Sequence, residues 1–258
     1  MVLNDYYVGA YWKVRMLTLL EYANQVKGFL NQLQTLHPVF GGLYYVGNKP
    51  NSEVKLTSDL SNLDDLIVKF SWDPKGKYEN ANLDGTPSWE STHSRGYRMV
   101  FNNGKSAKEG GVTISISVGM YSIWLNNAVI IEFPANDPGF PIEFSSYELI
   151  EKIFKLTVNF WRPEAALYTS YKFNEKVSYG SNEDFTTWQI GSLTYLDNPE
   201  VVKELPLGVD CQLLETGGPM IITLKETLSA ENIEHVTKAI SIRDALANKG
   251  LLNQRQYS

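Results

Sequence analysis

Cysteine is almost missing from this chain. Cys211 is the only one in 258 residues, so no internal disulfide can form and nothing calls for an oxidising compartment. Histidine is scarce too. His37, His93 and His235 stand far apart, and none lies at a metal-ligand spacing from a Cys, Asp or Glu. No run approaches the ~20 apolar residues that cross a bilayer. The opening Met1-Val-Leu-Asn-Asp-Tyr-Tyr-Val-Gly9 lacks the positive start and apolar block of a secretory signal. A cytoplasmic location without a membrane partner is therefore expected. Basic charge is in deficit, with 23 Lys and Arg against 29 Asp and Glu for a net charge of -6. That balance argues against a generic nucleic-acid binder, because phosphate binding needs a basic surface. Nucleophile elbow, Walker A loop, dinucleotide fingerprint and HExxH are all absent.

What the chain does have is the material of a core. It is 43% hydrophobic and 20% charged, and a chain of this length can bury roughly 70–75% of its unfolded surface without staples. Residues 14–36 read as an amphipathic helix, with Met16, Leu19, Leu20, Ala23, Val26, Leu30 and Leu33 on one stripe. A second helix is expected over 61–70 with Ser61 as its cap. A third follows Ser145-Ser-Tyr-Glu148, which has capping-box spacing, and stops at Pro163. A last helix begins after Ser229 and ends at Gly250, with Ile233, Val236, Ile240, Leu246 and Ala247 on its apolar side. Val112–Val118 alternates apolar and hydroxyl side chains and reads as a half-buried strand. Further strands are expected at 6–12, 97–101, 128–133, 165–169, 190–196, 211–214 and 220–224. Segments 73–96, 103–110, 170–187 and 197–209 read as loops. Strands clustered between isolated helices favour an α+β fold, a largely antiparallel or mixed sheet flanked by amphipathic helices in a single domain over 1–258.

Candidate chemistry is sparse. The histidines read as solvated or singly hydrogen-bonded, with His37 at a helix C-terminus. Cys211 falls in an apolar strand and reads as a small buried hydrophobe. Gly110-Gly111 and Gly217-Gly218 precede strands and read as turns. The carboxylate pairs Glu183-Asp184, Asp64-Asp65 and Glu231/Glu234 could serve a hydrolase, but adjacent carboxylates are usually solvated surface. Trp72 and Trp89 bracket a polar segment and could stack sugars or nucleotides. No catalytic, cofactor-binding or metal-binding residue is assigned.

Charge becomes informative when it is divided along the chain. Residues 131–210 carry 13 acidic and 6 basic groups, an excess of seven negative charges, and the remainder of the chain is at +1. The excess includes Glu175, Glu183, Asp184, Asp197 and Glu200. These five form a candidate docking surface for a basic protein, whose approach their field would speed. The competing interpretation is an ordinary solvated face.

The ends of the chain carry a resemblance. Tyr7-Val-Gly-Ala-Tyr-Trp-Lys-Val-Arg15, the following helix and its exit through His37-Pro38-Val-Phe40 resemble the start of the Immunity protein 52 family. Gly217-Gly-Pro-Met-Ile-Ile-Thr-Leu-Lys225, Asn232-Ile-Glu-His-Val236, Ile242-Arg-Asp-Ala-Leu246 and Gly250-Leu-Leu252 resemble its closing strand and helix, and Ile190-Gly-Ser-Leu-Thr-Tyr-Leu196 a further strand. The resemblance implies a non-enzymatic antitoxin without cofactors, which neutralises a cognate bacterial toxin by direct binding. It also implies a nuclease toxin of restriction-endonuclease-like class, delivered by a type VI or related secretion system. A nuclease needs a basic surface for its own substrate, against which an acidic inhibitor could lie.

Overall fold

The computed structural model describes residues 6–47, 52–71, 78–122, 125–134, 146–178, 187–226 and 228–253. In chain order the elements begin β1 (Tyr6–Trp12), α1 (Leu19–Leu36), β2 (Tyr44–Tyr45), β3 (Val54–Lys55), α2 (Leu63–Phe70) and β4 (Arg95–Asn102). They continue with β5 (Thr113–Met120), β6 (Asn127–Phe133), α3 (Tyr147–Trp161), β7 (Ala165–Ser170) and α4 (Tyr171–Val177). Last come β8 (Leu193–Leu196), α5 (Val201–Glu204), β9 (Asp210–Leu213), β10 (Pro219–Ile222) and α6 (Ile233–Ala247). The fold is α+β, and every strand pair with a described register is antiparallel.

The chain divides into two compact units, Tyr11–Ile131 and Met1–Ala10 with Glu132–Ser258. In the first, strands run in the order β3-β2-β4-β5-β6. The expected first helix starts later than its apolar pattern, because a capping box sets its beginning. The Thr18 hydroxyl accepts from the Glu21 amide at 3.2 Å, while the Glu21 carboxylate accepts from the Thr18 amide at 2.8 Å. Met16 is thus left outside the helix and 54% exposed, and Leu20 is 42% exposed. Tyr22 and Phe29 join Leu19, Ala23, Val26, Leu30 and Leu33 in the buried face instead. The second helix is capped at Asn62, not Ser61, and Asn62 makes no side-chain cap bond.

In the other unit the strand order is β1-β7-β8-β10-β9. All six residues of β7 and all four of β8 are buried. A strand buried at every position must be covered on both faces. One cover is α3, which packs on β7 and β8. The other belongs to a cluster in which Phe173 and Val177 of α4 and Val236, Ala239, Ile242 and Leu246 of α6 meet Ala165, Leu196 and Ile221. The capping of α3 is by Ser146, whose hydroxyl also donates to Glu148 at 2.8 Å. Ser145 lies outside the described residues.

Two loop expectations are corrected. Within 170–187, Ser170 caps a helix by accepting from the Phe173 amide at 3.1 Å. Phe173 and Val177, four apart, then bury one face of that short helix. Within 197–209, α5 forms around the buried Val201. Cys211 is corrected as well. It is exposed, because β9 is the edge strand and all four of its residues face solvent.

Candidate functional site

Of the five proposed acidic residues, Glu175, Asp197 and Glu200 can be placed, and Glu183 and Asp184 lie outside the described residues. Glu175 is exposed on α4. Asp197 follows β8 and is half-buried; its amide donates to the Glu164 carbonyl at 2.9 Å. Glu200 is the N-cap residue of α5 and is bound by Lys203 at 2.6 Å. The three therefore sit on three separate elements of one unit. Other acids of the same segment are partnered from beyond it. Glu204 meets Lys249 at 3.3 Å, and Asp210 meets Lys225 at 2.7 Å. The Lys225 ammonium holds the Asp210 carboxyl below its ordinary range and is itself pushed up by that carboxylate. Folding thus offsets part of the negative excess that the linear sequence displays.

The remaining chemistry-bearing residues occupy structural roles. Asp64 lies 3.5 Å from Lys27, and Glu231 lies 3.2 Å from Lys176. His37 ends α1, and its Nδ1 accepts from the Val39 amide at 3.2 Å. His93 is buried and stacks on Tyr78 with ring centroids 4.6 Å apart. His235 is buried and has two partners, not one. Its Nδ1 accepts from the Ser229 amide at 3.2 Å, so its Nε2 carries the proton and donates to Glu226 at 3.1 Å. That pair of bonds fixes the chain's entry into α6. Among the described residues no group of three His, Cys, Asp or Glu is placed to hold a metal ion. Trp89 is 37% exposed, and Trp72 lies outside the described residues.

The same unit carries surface features that the sequence did not announce. A groove of about 430 Å³ runs between the turn at 206–209 and the first turns of α6. Leu207 and Ile233 line it and are 104% and 72% exposed. Ile233 had been expected on the buried side of its helix. The structure instead begins α6 at this residue, with Asn232 as cap, and turns its side chain outward.

The sequence matches the model of a known family, Imm52 or Immunity protein 52, over residues 4–255. The chain belongs to the Immunity protein 52 family. Among solved structures, this Imm52 protein is similar in fold to the Pseudomonas aeruginosa T6SS protein PA0821. The two are 12% identical with a TM-score of 0.50, covering 98% of this chain and 78% of that one. No curated protein matches it. Among the described residues of the Imm52 chain, no helix is long and apolar enough to cross a membrane.

Proposed function

We propose that this Imm52 protein binds and neutralises a cognate bacterial toxin, acting as a stoichiometric inhibitor and not as an enzyme. The family match over nearly the whole chain carries this reading. The toxin we infer is a nuclease of restriction-endonuclease-like class, delivered by a type VI or related secretion system. Its target places the inhibitor in the cytoplasm, beside the nucleic acid to be protected. The two compact units serve as one immunity module over 1–258, with no cofactor.

Glu175, Glu183, Asp184, Asp197 and Glu200 are proposed to attract the toxin's basic surface. An acidic field of this kind raises the encounter rate more than it lengthens the life of the complex. The residues that hold the complex together are then expected among exposed apolar side chains, where a few anchors carry most of the binding energy.

Co-expression tests the reading. Inducing the product of the adjacent toxin gene in a host lacking immunity is expected to arrest growth, and supplying this chain is expected to restore it. The two proteins should also purify together. Arrest that persists despite abundant, folded Imm52 protein refutes the reading.

A further inference from the structure

The segment that leads into α6 is held from three sides. Leu228 is fully buried in the core, and its carbonyl accepts from the Tyr6 hydroxyl of β1 at 2.7 Å. The Ala230 carbonyl accepts from the Lys176 ammonium of α4 at 2.7 Å. Between them, the Ser229 amide donates at 3.2 Å to Nδ1 of His235, in the first turn of α6. The segment also turns on itself. The Asn232 amide donates to the Ser229 carbonyl at 3.3 Å, and the Glu231 amide to the Ser229 hydroxyl at 3.3 Å. Ser229 therefore organises the turn, and its own amide has the imidazole as its acceptor.

Of these bonds, the one to His235 depends on a single proton. A neutral imidazole accepts on one ring nitrogen and donates from the other, whereas an imidazolium donates from both. In the neutral ring the proton on Nε2 is donated to Glu226 at 3.1 Å, which leaves Nδ1 to accept. A second proton can only go to Nδ1. There it points at the Ser229 N–H, donor against donor, and the bond has to break. His235 is buried, so the segment must open for the Ser229 amide to find water in place of the lost acceptor. Histidine is the side chain whose ordinary charge change falls between about pH 5 and 8.

The charges around the ring pull in both directions. Glu226 favours the imidazolium, but its side chain is 71% exposed and solvent screens the pair. Glu231 of the turn and Glu234 of α6 act in the same sense. Against them stand Lys176 of α4, paired with Glu231 at 3.2 Å, Lys238 one turn along α6, and the positive end of the α6 dipole. Lys225, beside Glu226 in sequence, is held by Asp210, and the group from β1 is the Tyr6 hydroxyl on Leu228. None of these alters the outcome at Nδ1, because a proton placed there removes the acceptor of Ser229 whatever favours its uptake. We propose that His235 is an acid-sensitive latch, whose protonation releases the 228–232 segment and the first turn of α6 while the rest of the fold stays closed. The bond is present while the ring is neutral and is lost as pH falls through the ring's titration. Because Lys176 grips the same segment, release also loosens α4. The latch belongs to the fold and does not depend on the immunity reading.

Amide exchange of the full chain between about pH 5 and 8, corrected for the intrinsic rate, tests it alongside an NMR titration of the imidazole. Protection of the Ser229 amide should fall about tenfold or more across this range, with the same midpoint as the ring. The amide of Ile242, in the buried middle of α6, should keep its protection. His235→Gln takes up no proton here, so its Ser229 protection, whatever the level, should be the same at both ends of the range. Glu226→Gln keeps an acceptor for Nε2 on an exposed side chain but removes the charge that favours the imidazolium. Its opening should therefore shift to lower pH, by about half a unit. Ser229 protection that stays constant while the ring titrates overturns the latch, as does a fall that His235→Gln shares. A ring that takes up no proton down to about pH 5 overturns it too.

Discussion

Neutralising Glu175, Glu183, Asp184 and Asp197 together, to Gln or Asn as size dictates, is expected to slow toxin association about tenfold at low salt. The salt dependence of the association rate should flatten in the same variant. The dissociation rate should change little, because steering acts before the contact surfaces meet. Glu200 is left out of the variant on structural grounds. Lys203 binds it at 2.6 Å, so its removal would also leave that lysine uncompensated and mix two effects in one variant. Stopped-flow mixing at several ionic strengths provides the measurement. An unchanged low-salt association rate for the fourfold variant would remove the acidic surface from the account.

Phe173→Ala is expected to cost about 3–5 kcal/mol of stability, the usual penalty for emptying a buried phenylalanine site. Phe173 is fully buried among Ala165, Leu196, Ile221 and the α6 side chains. It is also one of the two buried residues of the seven-residue α4. A helix this short has little stability of its own and depends on such packing. Losing the anchor should therefore loosen α4 and with it the setting of Glu175. Urea denaturation should show a lower midpoint with an unchanged slope. A midpoint within the wild-type error would mean that α4 is held by something other than this side chain.

Phe173 also shows where reading the chain by composition falls short. The stretch after Ser170 is polar enough to resemble a loop, and a seven-residue helix shows too few turns for apolar periodicity to register. Ser170 followed by Phe173 and Val177 was the available signal, a cap ahead of an i,i+4 apolar pair. Longer elements were far more legible. The strands at Tyr6–Trp12 and Asn127–Phe133 stand within a residue of the expected 6–12 and 128–133. The salt bridge between Glu151 and Lys155, at 2.9 Å, follows directly from their helical spacing.

Cys211 was misjudged for a different reason. Its strand is real, but whether a strand is central or at an edge depends on partners that lie elsewhere in the chain. The same limit applies to charge. Counting along 131–210 yields a large negative excess, yet Lys225 and Lys249 reach back to Asp210 and Glu204 from outside that window. Family membership was legible because it is spread over Tyr7–Arg15, Gly217–Lys225 and the final helix, segments that build strands and core.

The most direct measurement titrates the active, purified toxin with this protein while nucleic-acid cleavage is followed. Cleavage is expected to fall linearly and vanish at stoichiometric equivalence, with no cleavage or other turnover by the Imm52 protein alone. Cleavage that continues undiminished in a large excess of folded protein would contradict it.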